Sequence, residues 1–192
     1  MADLPEVAVF ADESCLGNGR DGDNPGGAGG VIEYRPSAGK SPTRMDFWVS
    51  ERATTNNRMA LRSAIEALQI LSRKGKRLRV TFTSDSQYLV KGMREWLPGW
   101  KRRGWKRKEG EILNLALWQE ADRLAESHDI DWQWVRGHNE HPQNEYADHL
   151  ATRAARDLST SGGPVPSLYG EWLEARRSSA GGRPARRTRG DA

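Results

Sequence analysis

Val7-Ala8-Val9-Phe10-Ala11-Asp12-Glu13-Ser14-Cys15 decides how the rest of the chain reads. Five apolar residues followed by adjacent carboxylates describe a core strand whose end carries an acidic site. A buried strand holds its last side chains rigidly, and a metal-binding carboxylate needs its charge in place before reaction begins. Later acids are therefore read as partners for Asp12.

The chain has 192 residues, 36% hydrophobic and 29% charged, enough for one domain with a proper core and some extra length. No apolar run approaches the roughly 18 residues of a membrane span. The start, Met1-Ala-Asp-Leu-Pro-Glu, lacks the basic and apolar regions of a secretory signal, and Cys15 has no second cysteine to pair with. A cytoplasmic monomer is expected, with no membrane partner. The net charge of +4 is unevenly spread: Lys91–Lys108 carries +7 and Arg176–Ala192 carries +5, leaving −8 for the rest. Two basic surfaces on an acidic body suit a nucleic-acid binder with an acidic metal site.

Outward from the first strand, residues 16–30 are too rich in glycine to read as a helix or regular strand. Such a loop suits either a phosphate cradle or a plain hairpin connection. Val31–Tyr34 and Met45–Val49 then complete an antiparallel meander with the first strand. Thr54-Thr55-Asn56-Asn57 caps a helix that carries Leu61, Ala64, Ile65, Leu68 and Leu71 at helical spacing. Leu78–Thr83 alternates as a strand and ends at Ser84-Asp85-Ser86, ahead of a helix over 87–96. Asp85 thus joins Asp12 at a strand end, where α/β sheets bind ligands.

Trp96 to Lys108 interleaves indoles with cations, which suits a protrusion whose rings pack inward and whose charges follow a phosphate backbone. A helix over 112–125 and an alternating strand over 130–135 follow. Next come His138, His141-Pro142 at a helix start, and Asp148 about two turns in. Residues 158–192 read as a basic, disordered tail, with Trp172-Leu173 as the one candidate for a docked piece. Any one of Asp12, Asp85 and Asp148 is ordinarily a cap or a surface charge. Brought together they would form an oxygen-rich site for Mg²⁺ or Mn²⁺.

Val9-Phe10-Ala11-Asp12 to Asn18, Thr54-Thr55-Asn56-Asn57-Arg58-Met59, Thr83-Ser84-Asp85-Ser86-Gln87-Tyr88, Trp96…Trp100-Lys101…Gly104-Trp105-Lys106 and Val135-Arg136-Gly137-His138…Asn144-Glu145…Asp148 resemble, in order, the motifs of type 1 ribonuclease H. The resemblance spans roughly residues 6–157, giving a domain over 1–157. It implies an α/β fold with a five-stranded mixed sheet flanked by helices. It also implies an enzyme that cleaves the RNA strand of an RNA–DNA hybrid duplex to 5′-phosphate and 3′-hydroxyl ends. By the same resemblance Asp12, Asp85 and Asp148 hold two Mg²⁺ ions, and His138 assists proton transfer or product release. Cys15, Asn18, Thr55, Asn56, Asn57 and Gln87 line the minor groove, and Trp96, Lys101, Arg102, Arg103 and Trp105 belong to the protrusion on the DNA strand.

Two positions depart from the pattern. Where the family has a metal-site glutamate after Arg-Met, this chain has Ala60, and where it usually has glycine after the first aspartate, this chain has Glu13. Glu13 is expected to replace the lost metal ligand, with a turn or bulge redirecting its side chain, since neighbouring strand residues face opposite ways. The alternative is a hybrid-binding module with an impaired site. A different nuclease or strand-transfer enzyme is a third reading, which the Asn56-Asn57 and Gln87 matches disfavour.

Overall fold

The computed structural model describes residues 4–17, 23–35, 41–137 and 141–181. Strands β1 (Glu6–Cys15), β2 (Gly26–Arg35) and β3 (Thr43–Glu51) form the expected antiparallel meander. Helix α1 (Asn56–Ser72) crosses back so that β4 (Arg79–Ser84) lies parallel to β1, and β5 (Asp129–Trp134) then lies parallel to β4. Between these two strands run α2 (Gln87–Lys91), a π-helical turn (Gly92–Trp96), α3 (Leu97–Arg102) and α4 (Leu115–Ala125). After β5 come α5 (Pro142–Asp157), β6 (Val165–Pro166) and α6 (Tyr169–Gly181). The fold class holds, but the mixed sheet has six strands rather than five, in the order β5-β4-β1-β2-β3-β6.

Alternation along β1 sends Val7, Val9 and Ala11 into the main core with α1, α2 and α4. Ala8 and Phe10 go to the opposite face, against Tyr146 and Leu150 of α5. The parallel pair β1–β4 is thereby covered on both sides, and the ends of these two strands open together at one edge.

The glycine-rich segment is where sequence reading went astray, because Gly26 to Gly30 lie inside β2. A Cβ on Gly27 would sit 2.1 Å from the Ala151 carbonyl oxygen, and one on Gly29 would sit 2.7 Å from the Ala151 amide. The backbone of α5 rests directly on this strand, and only hydrogen side chains fit. A glycine run that reads as a loop is here a helix seat.

The helix expected over 87–96 continues to 102 with a π-helical turn inside it. Gly92 is needed there because a Cβ would meet the buried Trp118 ring at 1.9 Å. The tail also departs from expectation, since ordered structure does not stop at 157. The Ser161 amide donates to the Trp48 carbonyl, β6 pairs with β3, and α6 packs on α5 through Tyr169 and Trp172. Buried Asp46 accepts from both the Tyr146 hydroxyl and the Leu168 amide, which ties the tail to α5. A two-residue strand containing proline is too short to show alternation, so it left no periodic trace. Residues 182–192 lie outside the described residues.

Candidate active site

Asp12 and Glu13 lie near the end of β1, just past its last pair with β4 at Phe10↔Thr83, and Asp85 follows the last residue of β4. Ligand oxygens of Asp12, Glu13 and Asp85 all lie within 4.8 Å of one another. The β1–β2 register runs unbroken through Glu13↔Ala28 to Cys15↔Gly26, so no bulge redirects Glu13. The two neighbours do leave the strand on opposite faces. Asp12 accepts from Asn144 Nδ2 of α5 at 3.2 Å, whereas Glu13 has the Ser86 hydroxyl as its hydrogen-bond partner ahead of α2. Their carboxylates converge because they stand just beyond the β1–β4 pairing and Glu13 has an extra methylene with which to reach around the strand.

Local structure holds each group in place. The Glu13 amide donates to Asp12 Oδ1 at 2.7 Å. Trp134 Nε1 donates to the Asp85 carbonyl at 2.9 Å. Gly137 passes so close that a Cβ would fall 2.4 Å from Asp85 Oδ2. Ser86 caps α2 through the Leu89 amide, so the residue after Asp85 is fixed as well.

Crowding shapes the electrostatics. Burial, then the charges of Asp85 and Glu13, push the Asp12 carboxyl far above the usual carboxylate range, against the opposing pull of the Glu13 amide. Burial first, then Asp85, push Glu13 up to about 8, and the Ser86 hydroxyl draws it back. Glu13 Oε2 is buried with no hydrogen-bond partner among the described residues. A cluster of carboxylate oxygens that repel one another, one of them without a partner, fits a hard divalent cation bound by oxygen ligands.

Asp148 stands apart from this tight set. It lies on α5, is partly exposed, and accepts from the Thr152 hydroxyl at 3.4 Å, although its charge still raises the Asp12 pKa. Asn144, one turn earlier on the same helix face, comes closer: it is 3% exposed, it is bonded to Asp12, and its Oδ1 has no partner among the described residues. Sequence reading missed Asn144 as a site residue, although the four-residue spacing from Asp148 was a usable signal. His138 and Asn18 lie outside the described residues.

The expected groove residues gather at the same edge. Thr55 caps α1 by accepting from the Arg58 amide, and Asn56 and Asn57 form the first turn of that helix. Asn56 Oδ1 is a further buried atom without a partner among the described residues. Cys15 Sγ lies 3.5 Å from the Thr54 carbonyl, beside that turn, and Gln87 opens α2 in an exposed position. In the protrusion the rings pack inward: Trp96 and Trp100 join Tyr88 and Trp118 in one aromatic cluster, and Trp105 packs against the core. Arg102, Arg103, Lys106, Arg107 and Lys108 are exposed. Lys101 differs, because its ammonium turns back to α4 and pairs with Asp122 at 2.8 Å and Glu126 at 2.7 Å. Those acids already neutralise it, which weakens its assignment to the DNA strand.

The family model described as RNase H matches residues 5–156. The chain belongs to the RNase H family. It is 46% identical over 157 residues to the Ribonuclease H of Cupriavidus necator, covering 81% of this chain and 99% of that protein. With the Ribonuclease H of Pelobacter propionicus the identity is 43% over 153 residues, covering 79% of this chain and 86% of the relative. Among solved structures, LC9-RNase H1, described as a type 1 RNase H with the type 2 active-site motif, superposes with a TM-score of 0.86 at 57% identity. That match covers 96% of this chain and 88% of the other. The RNase H domain of PFV, at TM-score 0.66 and 20% identity over 81% of this chain and 97% of that one, shows the shared fold alone. RNase H enzymes hydrolyse the RNA of RNA–DNA hybrids, and the motifs quoted from the sequence fall within the matched residues.

Proposed function

We propose that this RNase H is a metal-dependent endonuclease that cuts the RNA strand of RNA–DNA hybrids, leaving 5′-phosphate and 3′-hydroxyl ends, with Glu13 as the metal ligand that replaces the glutamate absent at Ala60. The observation that carries this reading is the convergence of Asp12, Glu13 and Asp85 within 4.8 Å. Ala60 is fully buried on the core face shared by Val7, Val9 and Ala11, the face to which alternation also assigns Glu13. A carboxylate from the strand can therefore serve the same side of the site as one from α1. That LC9-RNase H1 combines a type 1 enzyme with a type 2 active-site motif supports a relocated acid on this scaffold.

Asp12, Glu13 and Asp85 would hold divalent ions, with the outer edge completed by the Asn144 amide oxygen, by Asp148, or by both. Mg²⁺ is the ion these hard oxygen ligands fit, with Mn²⁺ as a substitute. Two such ions when bound supply charge neutralisation at the attacking and leaving oxygens. Hydrolysis adds water across the P–O3′ bond, and His138 is positioned by sequence to carry a proton at that step. Asn56, Asn57, Gln87 and Cys15 face the minor groove, where 2′-hydroxyls mark the RNA strand. Arg102 and Arg103 of the protrusion, with Trp96 and Trp105 as its packed supports, meet the DNA backbone.

Hybrid cleavage in Mg²⁺ tests the assignment, comparing the native chain with Glu13→Gln, Asn144→Ala and Asp148→Asn. Glu13→Gln is expected to lose activity by about 10²-fold or more, on the scale of removing one group that stabilises transition-state charge. An unchanged rate would rule Glu13 out as a ligand. The variant at 144 or 148 that loses more activity identifies the fourth position. Stoichiometric hybrid binding without product in any divalent metal would instead establish the impaired binding module.

A further inference from the structure

Trp134 is the most exposed tryptophan among the described residues, at 45%, and it stands beside Asp85 rather than in the protrusion. Its Nε1 is tied to the Asp85 carbonyl, which fixes the indole, and no aromatic ring or cation among the described residues stacks on it. Every other tryptophan except Trp105, which is packed against the core, has such a partner. The ring borders a cleft of about 340 Å³ beside α2, whose other walls are Gln87, Val90, Lys91, Arg94 and Glu95. Lys91 and Arg94 are exposed, and unlike Lys101 neither has an acid within ion-pair distance among the described residues. Gln87, one of the groove residues proposed above, belongs to the same wall.

A fixed indole with an uncovered face, two unpaired cations and an amide form a platform for an unpaired nucleotide, whose base stacks while its phosphate meets the cations. Within the body of a duplex each paired base is stacked on both faces, so the interior of the hybrid cannot occupy it in this way. We infer that Trp134, Lys91 and Arg94 form a subsite for single-stranded nucleic acid continuing from the hybrid past the Asp85 side of the active site. The inference rests on the hybrid-cleaving function proposed above. It adds a preference for hybrid ends that carry unpaired extensions.

The test is fluorescence anisotropy in EDTA, where nothing is cut, with a blunt hybrid and the same hybrid extended by an unpaired RNA or DNA overhang. The native chain should bind one extended hybrid at least about five-fold more tightly than the blunt one, the scale of one stacked base. The arm that shows the gain, RNA or DNA, identifies the strand. Trp134→Ala and the double change Lys91→Ala with Arg94→Ala should each bring that ratio close to one. Because the ratio is taken within each variant, a general loss of affinity cancels. Equal affinity of the native chain for blunt and extended hybrids overturns the subsite while leaving hybrid cleavage standing. Failure to bind or cut any hybrid would overturn the parent function instead. A gain that survives both sets of changes places the extension elsewhere on the protein.

Discussion

At the scale of single residues, the proposed chemistry of this RNase H turns on Glu13 and Ala60. Because Ala60 of α1 packs on the sheet face to which Glu13 belongs, adding Ala60→Glu to Glu13→Gln should restore part of the cleavage rate lost on the single change, measured in Mg²⁺. No recovery would mean that the site no longer accepts a ligand from α1. Glu13 also makes metal-free stability depend on pH. Its carboxyl rises from 4.5 to about 8 on folding, so the folded chain holds that proton more tightly than the unfolded one. This contribution favours folding below about 4.5 and is lost progressively as pH climbs to about 8. In EDTA, the drop in melting temperature across that window should therefore be smaller for Glu13→Gln than for the native chain. Parallel curves would show that Glu13 does not carry it. Mg²⁺ should raise the melting temperature more at the alkaline end, since it binds the ionised acids.

At the scale of elements, the contact of α5 on β2 positions Asn144 and Asp148 against Asp12. Two glycines of β2, Gly27 and Gly29, allow it, and the closest approach is at Gly27. Gly27→Ala should cost about 3 kcal/mol, the upper range for overpacking, and lower the melting temperature by roughly 6–12 °C. Gly104→Ala is the comparison: its Cβ meets nothing within 4 Å, but its φ of +63° strains any other residue, for about 1 kcal/mol. Equal effects in thermal melts would mean that α5 yields rather than clashes. Sequence patterning gave α1, β4 and β5 correctly because the apolar residues of each recur at helical or strand spacing. It failed at Gly26 to Gly30 because the crowding there comes from other elements, for Gly27 and Gly29 from a helix more than 100 residues further along the chain.

At the scale of the whole molecule, the residues after the family match form an outer layer on α5. Tyr169 is buried, Arg44 lies over its ring, Arg176 pairs with Glu145, and Asp46 joins Tyr146 to Leu168. Truncation after residue 157 uncovers Tyr146 and removes two of the three donors to the buried Asp46 carboxylate, the Ser167 hydroxyl and the Leu168 amide. It should cost about 2–4 kcal/mol on the scale of burying one or two large side chains, read as a lower denaturation midpoint. An unchanged midpoint would show that the layer is decorative.

The sequence by itself determined the meander, the alternating helices and strands, and the strand-end positions of Asp12 and Asp85. Periodicity and capping are local, so they survive in one dimension. Only the tertiary structure decided that Glu13 turns into the site without a bulge, that Asn144 reaches Asp12 more closely than Asp148 reaches the cluster, and that Lys101 is already paired. Each of those outcomes depends on distances between side chains from separate elements, and no local pattern encodes which oxygen ends up nearest another.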